Sequence, residues 1–139
     1  MGGFLFDDII FGPVKSRRLG VSLGVNLLPI DYKFCSFDCI YCECGWNKKV
    51  EKKIQLPSPQ IISERLESVL KQRQKNNEPI DSITFAGNGE PTLHPDFVEV
   101  IENTIYLRNI YFPKAIITVL SNASLIHNSK IINALLKVD

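Results

Sequence analysis

Residues 34–42 read Phe34-Cys35-Ser36-Phe37-Asp38-Cys39-Ile40-Tyr41-Cys42, and this stretch decides how the rest of the chain is interpreted. Its cysteines follow a Cys-x3-Cys-x2-Cys spacing, which places three thiols in one short segment. A structural zinc site or a fully ligated four-iron cluster takes four protein ligands. Three thiolates on a four-iron cluster leave one iron without a protein ligand, where a small molecule can bind and react. The spacing therefore favours a metal site that takes part in a reaction over one that only holds metal.

The identity of the metal stays open at this point, because soft thiolates suit both iron–sulfur clusters and zinc. Cys44 offers a fourth thiol for a zinc site. Only one residue separates it from Cys42, which is awkward for closing one tetrahedral site, so we expect Cys44 to be a free thiol. The apolar neighbours Phe34, Phe37 and Ile40, with Tyr41, are suited to shielding a cluster from water.

The composition is that of one modest globular domain: 139 residues, 45% hydrophobic and 22% charged. A net charge of +1 gives no overall attraction to nucleic acid, and two histidines are too few for a His-based site. The apolar N-terminal stretch is interrupted by Asp7 and Asp8, and no run approaches the roughly 18 apolar residues of a membrane span. We expect no membrane association and a reducing, cytoplasmic setting, in which the cysteines serve as metal ligands rather than disulfides.

Hydrophobic periodicity outward from the cysteines predicts alternating strands and helices. Strands are predicted at residues 21–28, 82–86 and 116–121. Helices are predicted at 59–76, capped by Ser58, at 95–108, and from Asn128 or Ser129 onward. A long loop at 30–55 holds the cysteines, and a glycine-bearing turn occupies 87–91.

This alternation predicts an α/β fold with a parallel sheet of (β/α) repeats. Functional loops of such sheets follow the carboxyl ends of the strands. The cysteine loop, the 87–91 turn and the Ser121-Asn122 pair all occupy such positions, so we expect them to converge on one rim. Three βα units are too few for a closed barrel, and the last strand would leave a bare edge. We therefore expect residues 1–139 to be the N-terminal, incomplete part of a longer domain.

Two motifs together resemble those of the radical S-adenosylmethionine (radical SAM) superfamily. The Cys35-x3-Cys39-x2-Cys42 run, with Tyr41 before its last cysteine, resembles that family's cluster motif. Downstream, Asn88-Gly89-Glu90-Pro91 resembles its Gly-Gly-Glu-Pro motif, with Asn88 in place of the first glycine. The strings FGPVKSRRLGVSLGVNLLP and GNGEPTLHPDF further resemble a bacterial branch related to wyosine-synthase-like iron–sulfur oxidoreductases. The resemblance runs from about Phe11 to the end of the chain and implies an open, partial TIM barrel.

The resemblance implies that Cys35, Cys39 and Cys42 hold three irons of a [4Fe–4S] cluster. The fourth iron would be chelated by the methionine part of S-adenosylmethionine (SAM). Reduction of the cluster would cleave SAM to a 5′-deoxyadenosyl radical that abstracts hydrogen from a substrate, the cofactors carrying the difficult step. Partners implied are SAM and a one-electron donor such as flavodoxin or ferredoxin.

The resemblance also names the expected SAM contacts. They are Tyr41 near the adenine, the turn residues Gly87, Asn88, Gly89, Glu90 and Pro91 around the methionine ammonium, and Ser121 and Asn122 at polar groups. Glycines let main chain approach a ligand closely, and asparagine tolerates unusual backbone angles. Two structural alternatives stand beside these roles. Glu90 would only brace its turn, and Ser121 and Asn122 would only end a strand and begin a turn.

The substrate is open. A tRNA base follows from the wyosine-synthase relationship, and two basic groups could contact phosphates: Lys15, Arg17 and Arg18 in the first, Lys48, Lys49, Lys52 and Lys53 in the second. A solvated charged face explains the same lysines and arginines more simply. The competing interpretations of the whole chain are an iron–sulfur electron-transfer or zinc-binding module, and an inactive truncated fragment.

Overall fold

The structure is a computed structural model that describes residues 3–51 and 53–139, so Lys52 of the second basic group lies outside it. Four strands alternate with helices in chain order. The strands are β1 (Ile10–Ser16), β2 (Gly20–Val25), β3 (Ser82–Phe85) and β4 (Ile116–Val119). The helices are α1 (Pro59–Lys75), α2 (Phe97–Tyr111) and α3 (Ser129–Leu135), with one turn of 3-10 helix at Pro91–Leu93.

The strands form one open sheet in the order β1-β2-β3-β4. β2, β3 and β4 are parallel, and α1 and α2 form the two crossovers between them. Both crossovers step across the sheet in the same direction, and α1 and α2 contact each other on one face of it, as the usual right-handed crossovers require. The predicted α/β class with parallel βα units is confirmed, and so is the open, partial barrel.

The core lies between the sheet and these helices. Leu23, Ile83 and Ile117 are in register across β2, β3 and β4, and all three are at most 1% exposed. They pack with α1 through Ile62, Leu66 and Leu70 and with α2 through Phe97 and Ile101. The opposite face of the sheet carries small polar residues, and Ser22 Oγ and Thr84 Oγ1 form a buried hydrogen bond of 2.7 Å there.

The prediction that the first strand is 21–28 was wrong, because β1 precedes it, pairs antiparallel with β2 and makes the sheet mixed. The Gly12-Pro13 pair in its middle reads as a turn signal and hides the strand. The register shifts between Phe11 and Val14, and a bulge on an edge strand is where a proline is tolerated. β1 thereby covers the edge of β2, while β4 pairs only with β3 in the part of the chain that the structure describes.

The predicted boundaries are confirmed to within a few residues, and polar side chains set several of them. Ser58 Oγ accepts the amide of Ile61 at the start of α1, and Asn128 caps α3. β2 ends before the predicted residue 28, because the buried Asn26 side chain bonds both the amide and the carbonyl of Leu28. β4 likewise ends at Val119, and Leu120 beyond it is exposed.

Candidate functional site

The cysteine loop is fastened to the 87–91 turn by main-chain hydrogen bonds on both sides of Gly89. The Phe34 amide donates to the Asn88 carbonyl at 2.9 Å, and the Glu90 amide donates to the Phe34 carbonyl at 3.2 Å. Together they form an isolated parallel bridge between Phe34 and Gly89. Cys35, the first cysteine of the run, therefore lies directly beside the turn that follows β3.

Two glycines make this close approach possible. Gly89 has φ +147°, and a Cβ built on it would lie 1.8 Å from the Phe34 carbonyl oxygen. Gly87 has φ +140°, and a Cβ there would lie 2.4 Å from Asn26 Oδ1. Both backbone conformations disfavour residues with a side chain. Gly89 therefore lets the turn pack against the cysteine loop, and Gly87 lets it pack against Asn26 at the end of β2.

Asn88, which stands where the family motif has glycine, is fully buried and its side chain is used inside the protein. Its Nδ2 donates to the carbonyls of Phe6 and Pro29, each at 2.8 Å. Its Oδ1 accepts the Phe6 amide at 2.8 Å. The side chain thus ties the N-terminal segment and the end of β2 to the turn. The Asn88 main chain is also engaged, since its amide donates to Asn26 Oδ1 at 3.1 Å and its carbonyl accepts the Phe34 amide.

Glu90 connects the turn to the loop after β4. Oε1 accepts the amide and hydroxyl of Thr92 and the hydroxyl of Ser121, the last at 2.8 Å. Oε2 accepts the Asn122 amide at 2.6 Å. With the carboxylate 2% exposed and both oxygens occupied, this geometry supports the bracing alternative for Glu90.

Asn122 reaches from the loop after β4 to the first cysteine. Its Nδ2 donates to Cys35 Sγ at 3.5 Å and to Ser36 Oγ at 2.9 Å. Ser36 Oγ also bonds Ser124 Oγ at 2.7 Å. The predicted convergence of the three loops on one rim is therefore confirmed, and it is closest around Cys35.

A polar scaffold inside the cysteine loop was not anticipated from the sequence. Lys33 is 3% exposed, and its Nζ donates to the Gly45 carbonyl at 3.0 Å and to Asp38 Oδ1 at 3.5 Å. Asn47 closes the loop from the other side, accepting the Cys35 amide at 3.1 Å and donating to Asp38 Oδ1 at 2.9 Å. The sequence signals for this scaffold were a lysine two residues before the first cysteine and an aspartate between the first two cysteines.

The charged groups in this loop stabilise one another's ionised forms. Burial works against the charged form of Lys33, yet Cys42, Asp38 and Cys35 together outweigh it and raise the pKa of the ammonium. The amide of Asn47, followed by Lys33, lowers the pKa of Asp38. Both groups are therefore charged at neutral pH, and the loop contains a buried cation beside its thiols.

Cys44 is the cysteine of this loop that lies outside the Cys-x3-Cys-x2-Cys run. Burial, and then the negative charge of Cys42, raises the pKa of Cys44 to about 11. The Cys44 thiol donates to the Gly87 carbonyl at 3.5 Å.

Tyr41 projects into solvent with 85% of its surface exposed, and the neighbouring Cys39 thiol raises its pKa. Its ring is thus free of the protein core and accessible to a ligand.

The donor set fits an iron–sulfur cluster with one open iron. All four cysteines are free and partly exposed, and three of them lie on one loop that is held against a turn without side-chain bulk at Gly89. In residues 3–51 and 53–139, no group of three or more His, Cys, Asp or Glu is arranged to hold a metal ion. The fit therefore rests on the chemistry of the donors and on their shared loop.

The comparisons with known proteins bear on the same region. A sequence profile of the radical SAM superfamily matches residues 30–139, which contain the cysteine loop, the 87–91 turn and Asn122. The chain belongs to the radical SAM superfamily. The resemblance read from the two motifs is thereby confirmed at the level of the superfamily.

Three relatives align with almost the whole chain. A UPF0026 protein of Methanocaldococcus jannaschii is 44% identical over 133 residues, which are 94% of this chain and 38% of that protein. A UPF0026 protein of Helicobacter pylori is 40% identical over 134 residues, 94% of this chain and 40% of the relative. A protein of Brachyspira hyodysenteriae named GTPase Obg is 41% identical over 132 residues, 94% of this chain and 18% of its own length.

This radical SAM chain spans about two fifths of the length of the two UPF0026 relatives. That family name states no activity. No solved structure gives a significant match to the chain.

The two basic groups lie at different ends of the sheet. Arg17 and Arg18 occupy the turn between β1 and β2, at the amino end of β2, whereas the cysteine loop follows the carboxyl ends. Lys48, Lys49 and Lys53 are exposed in the segment after the cysteines. The described residues of the two groups therefore do not form one continuous surface.

His94 has a structural role. It is 2% exposed, with Nε2 2.8 Å from the Pro57 carbonyl and Nδ1 accepting the Asp96 amide. None of the helices described here has the length and apolar character needed to cross a bilayer.

Proposed function

We propose that this chain is the cluster- and SAM-binding part of a radical SAM enzyme. The observation that carries the proposal is the meeting of three loops at Cys35. The Phe34–Gly89 bridge fastens the cysteine loop to the 87–91 turn, and Asn122 Nδ2 lies 3.5 Å from Cys35 Sγ. Superfamily membership supports the same conclusion.

In this proposal, Cys35, Cys39 and Cys42 hold a [4Fe–4S] cluster whose fourth iron is open to SAM. When bound, such a cluster supplies one electron to the SAM sulfonium, whose carbon–sulfur bond breaks to give methionine and a 5′-deoxyadenosyl radical that takes a hydrogen atom from a substrate. The electron comes from a low-potential one-electron donor of the flavodoxin or ferredoxin class. A reducing compartment such as the cytoplasm suits these thiols.

The chain's own residues would then position the reactants. The 87–91 turn brings main chain to the edge of the cysteine loop, where Gly89 keeps the approach free of a side chain, while Gly87 packs against Asn26. Pro91 starts the 3-10 turn and shares the rigid segment that Glu90 braces. Glu90 holds Ser121 and Asn122 in place, so that Asn122 presents its side-chain amide toward Cys35. The exposed Tyr41 ring is available to pack on the adenine.

The proposal assigns no described residue to the substrate, and the longer relatives contain residues beyond the part that aligns with this chain. An RNA substrate and a place in the wyosine-synthase-like branch gain no support from the described surface, because its basic groups are split between two ends of the sheet. The zinc alternative needs Cys44 as a fourth ligand, and in this structure its thiol donates to the Gly87 carbonyl instead.

The test is anaerobic reconstitution of the chain with iron and sulfide, followed by EPR spectroscopy of the reduced protein with and without SAM. Circular dichroism verifies that the sample is folded. We expect a four-iron signal that changes when SAM is added. A folded protein whose reduced cluster gives the same signal with and without SAM would refute SAM binding, and a colourless protein that retains zinc would favour the zinc-binding module.

A further inference from the structure

Lys33 carries a buried ammonium that has no role in the proposed function. Its side chain is 1% exposed, and the carboxylate of Asp38 lies 3.5 Å away and is 41% exposed. Transferring an ammonium out of water costs several kcal/mol unless an opposite charge and hydrogen bonds compensate it. Asp38 supplies part of this compensation, and the negative charges of Cys42 and Cys35 supply the rest.

The position of this charge is specific. Lys33 Nζ lies inside the cysteine loop, between Asp38, which separates Cys35 from Cys39, and Gly45, which follows Cys42. The two hydrogen bonds therefore join both halves of the segment that carries the thiols. A neutral donor would suffice to bond the Gly45 carbonyl, so anchoring by itself does not explain why the buried group is a cation.

A thiolate-ligated cluster would place a permanent negative charge beside this cation. Three thiolates outweigh the charge of a 2+ cluster core, so the assembly is anionic, and it becomes more so when one electron is added. A nearby fixed cation stabilises the reduced form more than the oxidised form, and net charge near a cluster is one of the factors that set its reduction potential. No bond or proton changes in this step: one electron passes from a low-potential donor to the cluster.

Resting on the function proposed above, we propose that Lys33 is a positioning residue for the cluster. Its ammonium anchors the two halves of the cysteine loop and provides the fixed positive charge that makes the cluster easier to reduce. Asp38 is the opposing charge, which holds the ammonium in place and partly offsets its effect.

The charge is tested by redox titration of the reconstituted chain, followed by EPR in the absence of SAM. Lys33→Met and Lys33→Gln remove the charge, and Gln retains a donor for Gly45. We expect both variants to shift the midpoint potential to more negative values, Lys33→Arg to stay near wild type, and Asp38→Asn to shift it to less negative values. Lys49→Met, an exposed lysine of the same segment, should leave the potential unchanged.

The anchoring is tested without any metal, by chymotrypsin digestion of the apoprotein. Phe37, Tyr41 and Trp46 are exposed cleavage sites inside or beside the loop. We expect Lys33→Met to be cut there several-fold faster than wild type, Lys33→Gln to be intermediate, and Lys49→Met to match wild type.

The outcomes separate this inference from the function on which it rests. Wild-type cleavage rates in Lys33→Met refute the anchoring, and a wild-type potential in both charge-removing variants refutes the electrostatic part. If neither of them assembles a cluster, the sign of the Asp38→Asn shift decides: a shift to more negative values, or none, overturns the charge effect. A wild-type chain that holds a cluster indifferent to SAM contradicts the proposed function instead, while both Lys33 tests still apply.

Discussion

The carbonyl oxygen of Phe34 lies against Gly89 so closely that a methyl group on Gly89 would be 1.8 Å from it. The same pair forms the bridge that fastens the cysteine loop to the turn after β3. Loop and turn cannot both keep their positions if Gly89 gains a side chain. The contact between the cysteine loop and the 87–91 turn therefore depends on the absence of a Cβ at Gly89.

Gly89→Ala should separate the loop from the turn. We expect the free energy of unfolding to fall by about 3 kcal/mol, because the added methyl group meets main chain and alanine disfavours this φ. Iron and sulfide bound per chain after reconstitution should fall as well. Urea denaturation of the apoprotein and metal analysis measure the two effects.

Gly45→Ala is the matched control. Gly45 also has a positive φ, +78°, but a Cβ there would meet only Gly3 main chain, at 3.5 Å. The control carries the backbone strain without the clash, so it should retain more stability and more iron than Gly89→Ala. Equal losses in the two variants would show that backbone strain, and not the approach to Phe34, explains the effect.

Asn88→Gly restores the glycine of the family motif, and we expect it to destabilise this protein. The change leaves the amide and carbonyl of Phe6 and the carbonyl of Pro29 without their partner. Unsatisfied buried groups cost about 1–3 kcal/mol each, partly recovered by water, so a loss of roughly 2–4 kcal/mol is expected in urea denaturation. Asn133→Ala, at an exposed position on α3, should have little effect. Unchanged stability of Asn88→Gly would mean that the N-terminal segment is held by other contacts.

Glu90→Gln should loosen the link between the turn and the loop after β4. All four groups that contact the carboxylate are donors, from Thr92, Ser121 and Asn122. A glutamine amide would place its own donor against one of them, which costs about 1–3 kcal/mol. We also expect weaker SAM binding with cluster content retained, measured by SAM titration of the reconstituted protein.

Glu64→Gln, at an exposed position on α1, is the matched control for Glu90 and should leave both stability and SAM binding unchanged. If Glu90→Gln is as stable as wild type but loses SAM, the carboxylate contacts SAM directly and the bracing interpretation is wrong.

The sequence predicted the parallel βα units and the rim because both follow from local patterns. Hydrophobic periodicity marks the strands and helices, and the carboxyl ends of parallel strands necessarily share an edge. Asn88 shows what such patterns cannot predict. Its side chain bonds the main-chain carbonyls of Phe6 and Pro29, and main-chain groups are the same at every residue, so the sequence does not reveal the contact. Lys33 is similar, because its partners are a carbonyl and an aspartate within an irregular loop. β1 was missed because Gly12-Pro13 imitates a turn.

Cys44→Ser should leave iron binding intact, whereas Cys42→Ser should abolish it. Cys44 donates to the Gly87 carbonyl, and serine keeps that donor. Under the proposed function, the three cysteines of the Cys-x3-Cys-x2-Cys run are sufficient ligands. Iron, sulfide and zinc are measured in both variants after identical reconstitution. Loss of metal from Cys44→Ser, with zinc in the wild type, would favour the four-thiol zinc site.

The stability of the apoprotein should also depend on pH through Cys44. Burial and the charge of Cys42 raise the pKa of this thiol from 9.0 to about 11, so the fold favours the neutral form. The stabilising contribution is therefore fully present below pH 9 and is lost as the pH rises from 9 toward 11, where the unfolded chain ionises first. Urea denaturation of wild type and Cys44→Ser across this range isolates the effect, since serine does not ionise there. We expect wild type to lose stability relative to Cys44→Ser as the pH rises. A difference between the two proteins that stays constant from below pH 9 to pH 11 would contradict a protonated, buried Cys44 and return this thiol to the list of candidate metal ligands.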